Sequence, residues 1–247
     1  MMVKTRGIVF RNQKYGETSV ILDVFTEEKG LQSYIVHGVR KTKARVPASL
    51  VQVMSLVDLV SDSRDDKSLH HIKEIRPAWV YHSIPFDLKK GAIGLFMIEM
   101  ARKSIREIEE NRPLFEFIYH SFLLLDQVSQ GVSNFHLRFL CELSVFLGFH
   151  PDGEASADTP LFDLKEGMFV SIPPPHPYFL HEDHALLLDR LLRSSYESLH
   201  TVILAREERK ALLHHLMDYY RLHIENFPPV HSYQVLEAVF EHLLNSF

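Results

Sequence analysis

The chain has 247 residues, 46% hydrophobic and 24% charged, with a net charge of −5. This is the composition of a folded protein with a buried core, which excludes disordered and collagen-like classes. With no apolar run of eighteen residues, no long apolar stretch at Met1–Gly7 and a single cysteine, Cys141, we expect no membrane span, no secretory leader, no internal disulfide and a cytoplasmic protein. The charge is uneven: residues 1–80 hold 13 Lys+Arg against 9 Asp+Glu, a balance of +4, and residues 81–247 carry −9, which suggests two regions with different electrostatic tasks.

The first 76 residues read as strands. Gly7–Phe10, Ser19–Phe25 and Leu31–Val36 are short and rich in β-branched and aromatic residues, with turn composition at Lys14–Glu17 and Thr26–Gly30. Two further strands are expected at Leu50–Val60 and Leu69–Ile75. Five short strands in so little chain favour a small closed barrel, because closure removes exposed edges. From Pro85 the apolar spacing turns helical, with helices expected up to Glu110, from Asn111 to Gln130, and from Ser133 to Gly148. Asn111 and Ser133 stand where a side chain caps the first turn. Residues 149–182 break the helices with Pro173-Pro174-Pro175 and a hairpin around Lys165-Glu166-Gly167. Helices resume over about 183–199, 205–226 and 232–246. The expected architecture is α+β: an OB-type β-barrel over residues 1–80, then an α-helical body over 81–247 with a small hairpin insertion at 149–182.

Arg40, Lys41, Lys43 and Arg45 place four cations within six residues, close to His37. Phosphate binding uses such clusters, since each contact releases condensed counterions. Tyr15 and Tyr34 offer faces on which unpaired bases stack. A plain solvated loop has the same composition, and both readings stay open here. The sixteen histidines include His70-His71, His181/His184 and His214-His215. None has the H-E-x-x-H arrangement; His181 and His184, with Glu182 and Asp183, are three apart and could reach one ion, but surface or core roles are expected and no metal or cofactor is assigned. No phosphate loop, dinucleotide fingerprint or nucleophile elbow occurs. Cys141, between Leu140 and Glu142 in a helix, reads as a small core hydrophobe. We expect no enzyme.

Taken in order, several segments resemble the RecO family of DNA repair proteins. They are Gly7-Ile8-Val9-Phe10, Tyr15-Gly16-Glu17, Val24–Gly30, His37-Gly38-Val39-Arg40-Lys41, Asn111–Phe115, Phe135–Leu140, Leu147–Asp152, Tyr219–His223 and Ser232–Leu236. The resemblance implies a non-enzymatic, nucleoid-associated recombination mediator. Such a protein binds single- and double-stranded DNA, anneals complementary strands and assists recombinase loading. Its implied partners are RecR and the C-terminal tail of single-strand-binding protein. On this chain, Arg40, Lys41, Lys43 and Arg45 become the first DNA-contact candidates, with Arg6, Arg11 and Lys14 behind them. Arg206, Arg209, Lys210 and Arg221, beside apolar stripes, are candidates for the tail. Many members carry four zinc-binding cysteines after the segment resembling Leu147–Asp152; residues 153–182 here contain none, so packing is expected to hold the hairpin. Two other readings are a protein-interaction scaffold without direct DNA binding and a histidine-metal hydrolase.

Overall fold

The computed structural model describes residues 2–39, 46–62, 69–105 and 109–242. The chain divides into two compact units, Met1–Phe86 with Ile105–Leu123 and Asp87–Ser104 with Leu124–Phe247.

In the first unit, β1 (Met2–Tyr15), β2 (Ser19–Thr26), β3 (Gly30–Val36), β4 (Leu56–Asp62) and β5 (His70–Pro77) close into a barrel of order β1-β2-β3-β5-β4. Strand β1 closes it by serving two neighbours. Met2–Ile8 pairs with β4, Gly7–Tyr15 pairs with β2, and a bulge between Val9 and Arg11 bends the strand. Alternation sends Val9, Val20, Leu22, Val24, Tyr34, Val36, Val57 and Leu59 inward. At Gly7 an added Cβ would lie 2.6 Å from Val24 Cγ1, so the missing side chain is what lets the interior close.

The expected strand over Leu50–Val60 is shorter than its apolar run. Ala48–Val51 forms a 3-10 turn and Met54 adopts a positive φ of 76°. The Met54 N–H donates to the Val9 carbonyl at 2.9 Å, which holds the turn against β1 before β4 begins.

Helix α2 (Arg112–Gln127) starts where Asn111 predicts, its Oδ1 accepting the Leu114 N–H at 3.1 Å. Its first part packs on the barrel through Phe115. The Phe115 ring lies 5.9 Å from Phe25, which in turn stacks on Phe10 at 5.4 Å.

The second unit contains α1 (Leu88–Ser104), α3 (Phe135–Phe146), α4 (Glu182–Arg193), α5 (Arg206–His223) and α6 (Ser232–His242). Its small sheet is β6 (Leu161–Asp163), β7 (Met168–Val170) and β8 (Phe179–Leu180), in the order β7-β6-β8. Helix α1 is buried nearly all round, with Ile93, Phe96, Met97 and Met100 fully enclosed. Ser133 does not cap α3: it falls in a 3-10 turn, and α3 begins at Phe135 after Asn134. The Asn134 side chain is engaged elsewhere, donating to the Val202 carbonyl at 2.6 Å and accepting from Arg209 Nε at 2.9 Å. Cys141 is buried, and burial pushes its thiol up to about 12, so it acts as a core side chain. No helix among the described residues is long and apolar enough to cross a membrane.

Candidate nucleic-acid interface

Strand tilt and stagger in the closed barrel bring residues distant in sequence to one end of it. Tyr15 of β1 faces Ser19 of β2, and Val20 faces Val36 of β3. Ile35 of β3 runs parallel to His71 of β5, and His71 faces Asp62 of β4. Side chains then join across this end. Ser19 Oγ lies 3.0 Å from His37 Nδ1, and the His37 and His71 rings stack with centroids 5.7 Å apart and planes 29° from parallel.

The chain leaves β3 at this same corner. Val39, 4% exposed, and Val46 both pack on the barrel core, so the backbone is pinned on either side of the segment 40–45. That segment holds Arg40, Lys41, Lys43 and Arg45, which lie outside the described residues.

The second tier of cations separates. Lys14 is exposed near the end of β1. Arg11 is tied to Asp23, its Nε donating to Oδ2 at 2.6 Å and its second nitrogen to Oδ1 at 3.3 Å. Arg6 is enclosed. Its Nε donates to Glu27 Oε2 at 2.8 Å, another nitrogen pairs with Glu116, and its guanidinium lies 5.4 and 5.0 Å from the Phe115 and Tyr119 ring centroids. The hydrogen bond to Glu27 raises the Arg6 pKa, and the same contact lowers that of Glu27. Arg6 thus clamps α2 to the barrel, with 30% of its side chain left exposed. Tyr34 also departs from the sequence expectation: it is 2% exposed in the barrel core, and burial pushes its hydroxyl up to about 12. It has no free face for a base. Tyr15, 53% exposed, keeps one.

In the second unit, α5 and α6 border a shallow open cleft of about 30 Å³ whose apolar lining is Leu213, Leu236 and Phe240. Arg206, Arg209 and Lys210 meet at its rim because their spacing puts them on one side of α5. Arg206 pairs with Glu241 at 2.7 Å and Lys210 with Glu237 at 3.5 Å, so the rim is a mixed ionic border. Arg209 lies over the Phe240 ring at 5.8 Å and donates to the Leu204 carbonyl at 3.0 Å. Arg221 stands apart from the cleft lining, paired with Asp218 at 2.6 Å. The floor includes His136, which burial lowers to about 3, leaving it neutral.

Family comparison covers both units. Residues 1–81 match the family described as Recombination protein O N terminal, and residues 85–233 match Recombination protein O C terminal. The chain belongs to the RecO family. It is 37% identical over 240 residues to DNA repair protein RecO of Phocaeicola vulgatus, covering 97% of this chain and all of that relative. It is 39% identical over 242 residues to DNA repair protein RecO of Bacteroides fragilis, covering 98% of this chain and all of that protein. It is 33% identical over 241 residues to the protein of the same name from Christiangramia forsetii, covering 97% and 100%. These matches support a role in DNA repair and recombination.

In this RecO-family chain the small sheet rests on packed rings. Phe162 lies 4.9 Å from Phe169 and 6.0 Å from Tyr219, and Phe149 stacks on His223 at 5.2 Å and 9°. The His223 Nε2–H donates to the Leu164 carbonyl at 3.0 Å, and Tyr219 donates its hydroxyl to the Phe149 carbonyl. Among the described residues, no three His, Cys, Asp or Glu side chains come together as a metal site. The histidine pairs disperse: His184 meets His215 at 5.3 Å, and His214 pairs with Glu237 at 2.8 Å. The ring pair His37–His71 is the feature that sequence reading missed. It depends on the parallel contact of β3 with β5, for which local spacing carries no signal.

Proposed function

We propose that this chain is a non-enzymatic recombination mediator of the cytoplasm that binds single- and double-stranded DNA through the barrel and anneals complementary strands. The observation that supports this most is the barrel corner, where a segment with four cations is pinned at Val39 and Val46. Four cations so close in sequence supply the charge that counterion release on a phosphate chain requires. Annealing needs neutralisation of two polyanions with base edges left free, and no bond is made or broken in the protein's part of that process. The folding division at residue 80 and the partnership with RecR belong to the same proposal.

For the tail of single-strand-binding protein, the α5–α6 cleft has the matching chemistry. Its apolar floor accepts an apolar tip, and Arg206, Arg209 and Lys210 meet acidic side chains once Glu237 and Glu241 are displaced. A labelled acidic peptide with an apolar C-terminal tip, titrated at low salt, should bind the wild type and lose affinity at least tenfold in the Arg206→Glu/Lys210→Glu variant. Absence of binding, or equal binding by both, removes the tail from this cleft.

Annealing of complementary oligonucleotides coated with single-strand-binding protein tests the main reading. The wild type should accelerate it, and a variant with Arg40, Lys41, Lys43 and Arg45 changed to Ala should not. Duplex formation at the uncatalysed rate with folded wild-type protein rejects the annealing function.

A further inference from the structure

We propose that the stacked rings of His37 and His71, with Tyr15 alongside, form a base-stacking seat for unpaired nucleobases of single-stranded DNA. This rests on the reading of the barrel as a DNA-binding module and assigns it a contact that the cationic segment does not provide. Both histidines are exposed, yet they are held together at 5.7 Å and 29°. The His37 ring is further oriented by Ser19 Oγ, 3.0 Å from Nδ1. Ser19 is the register partner of Tyr15, whose side chain is 53% exposed and leaves the same face of the sheet.

Three aromatic rings thus stand along one corner, carried by the end of β1, the exit from β3 and the start of β5. Ordering exposed rings costs side-chain entropy and recovers little burial within the protein. A pre-ordered pair of this kind lowers the cost of binding a flat apolar ligand. His37 precedes the segment bearing Arg40, Lys41, Lys43 and Arg45 by only three residues in sequence, while the rings themselves need only an unpaired base to stack. Every base has a π-face, and stacking on it tolerates any sequence. In a duplex those faces are covered by neighbouring pairs. The seat therefore discriminates single strands from double strands, whereas phosphate contacts serve both.

The test uses the full chain with a fluorescent oligothymidine and a blunt hairpin duplex, measured by anisotropy at fixed salt. His37→Ala and His71→Ala should each weaken single-strand binding about fivefold and leave duplex binding within twofold. His37→Phe and His71→Phe, which keep a ring and remove any charge, should restore it. An oligonucleotide containing 2-aminopurine should be quenched by wild type and Phe variants and stay bright with the Ala variants. Equal loss on both DNA forms, or no rescue by Phe, overturns the stacking seat, as does unchanged single-strand affinity in the Ala variants. Failure of the wild type to bind either DNA rejects the DNA-binding reading itself, a result separable from all of these.

Discussion

At Arg6 a guanidinium that the sequence counts among the surface cations is enclosed by Glu27, Glu116, Phe115 and Tyr119. Sequence gives the charge and not its neighbours, because Glu116 arrives from far along the chain. Arg6→Ala should lower stability by about 1–2 kcal/mol, because Glu27 and Glu116 lose its hydrogen bonds while Glu27 keeps its pair with Arg112, and change DNA affinity less than twofold. Urea unfolding and anisotropy check the two halves separately. Large loss of DNA affinity with unchanged stability would return Arg6 to the interface.

Two further residues set the response to acid. His136 is fully buried and lowered to about 3 by burial and by the charge of Arg209. The folded state resists its protonation, so its contribution is complete above the ordinary histidine pKa and declines as pH falls below about 6.5. Glu99, on α1, is pushed up by burial, but hydrogen bonds from Lys103, Ser232 and His231 outweigh that and hold it at about 2. Its Oε2 accepts the His231 and Ser232 amides at 3.0 and 2.7 Å, anchoring the start of α6. Its contribution stands above the usual carboxylate range and is lost as pH falls from about 4.5 towards 2. The urea unfolding free energy should therefore drop between pH 7 and 5, by on the order of 2 kcal/mol in wild type, and by clearly less in His136→Leu, where His215, also lowered by burial, still contributes. A parallel decline in both proteins would remove His136 as the cause.

At the scale of elements, much of the barrel was legible. Alternation in Ser19–Phe25 and Leu31–Val36 fixes β2 and β3 to within a residue or so. Strand β1 runs longer than its apolar core, Gly7–Phe10, because its polar ends are held by backbone pairing to β4 and β2. The start of β4 was obscured by Val51 and Val53, which belong to a turn that alternates like a strand. In the body, Ser133 offered a cap that Asn134 and its contacts displaced. Gly7→Ala tests the barrel interior: its Cβ would meet Val24 Cγ1 at 2.6 Å, and such overpacking should cost about 1–3 kcal/mol. Thermal melts of wild type and variant measure it; an unchanged midpoint would show that the interior has room.

For the molecule as a whole, charge asymmetry anticipates a division of labour. A barrel-bearing part with balance +4 precedes a body of balance −9, and four of the first part's thirteen Lys and Arg residues fall within positions 40–45 of the sequence. The sequence reading offered seven residues to DNA. Arg6 and Arg11 are engaged with carboxylates, Lys14 is exposed, and the other four lie in the segment 40–45, outside the described residues. In the proposed function this segment neutralises DNA phosphates. The most direct measurement is single-strand affinity as a function of salt, for wild type and for the variant with Arg40, Lys41, Lys43 and Arg45 changed to Ala. Four lost phosphate contacts should flatten the slope of log K against log salt by about 3, with affinity falling across all sequences. An identical slope in a folded variant would contradict the account.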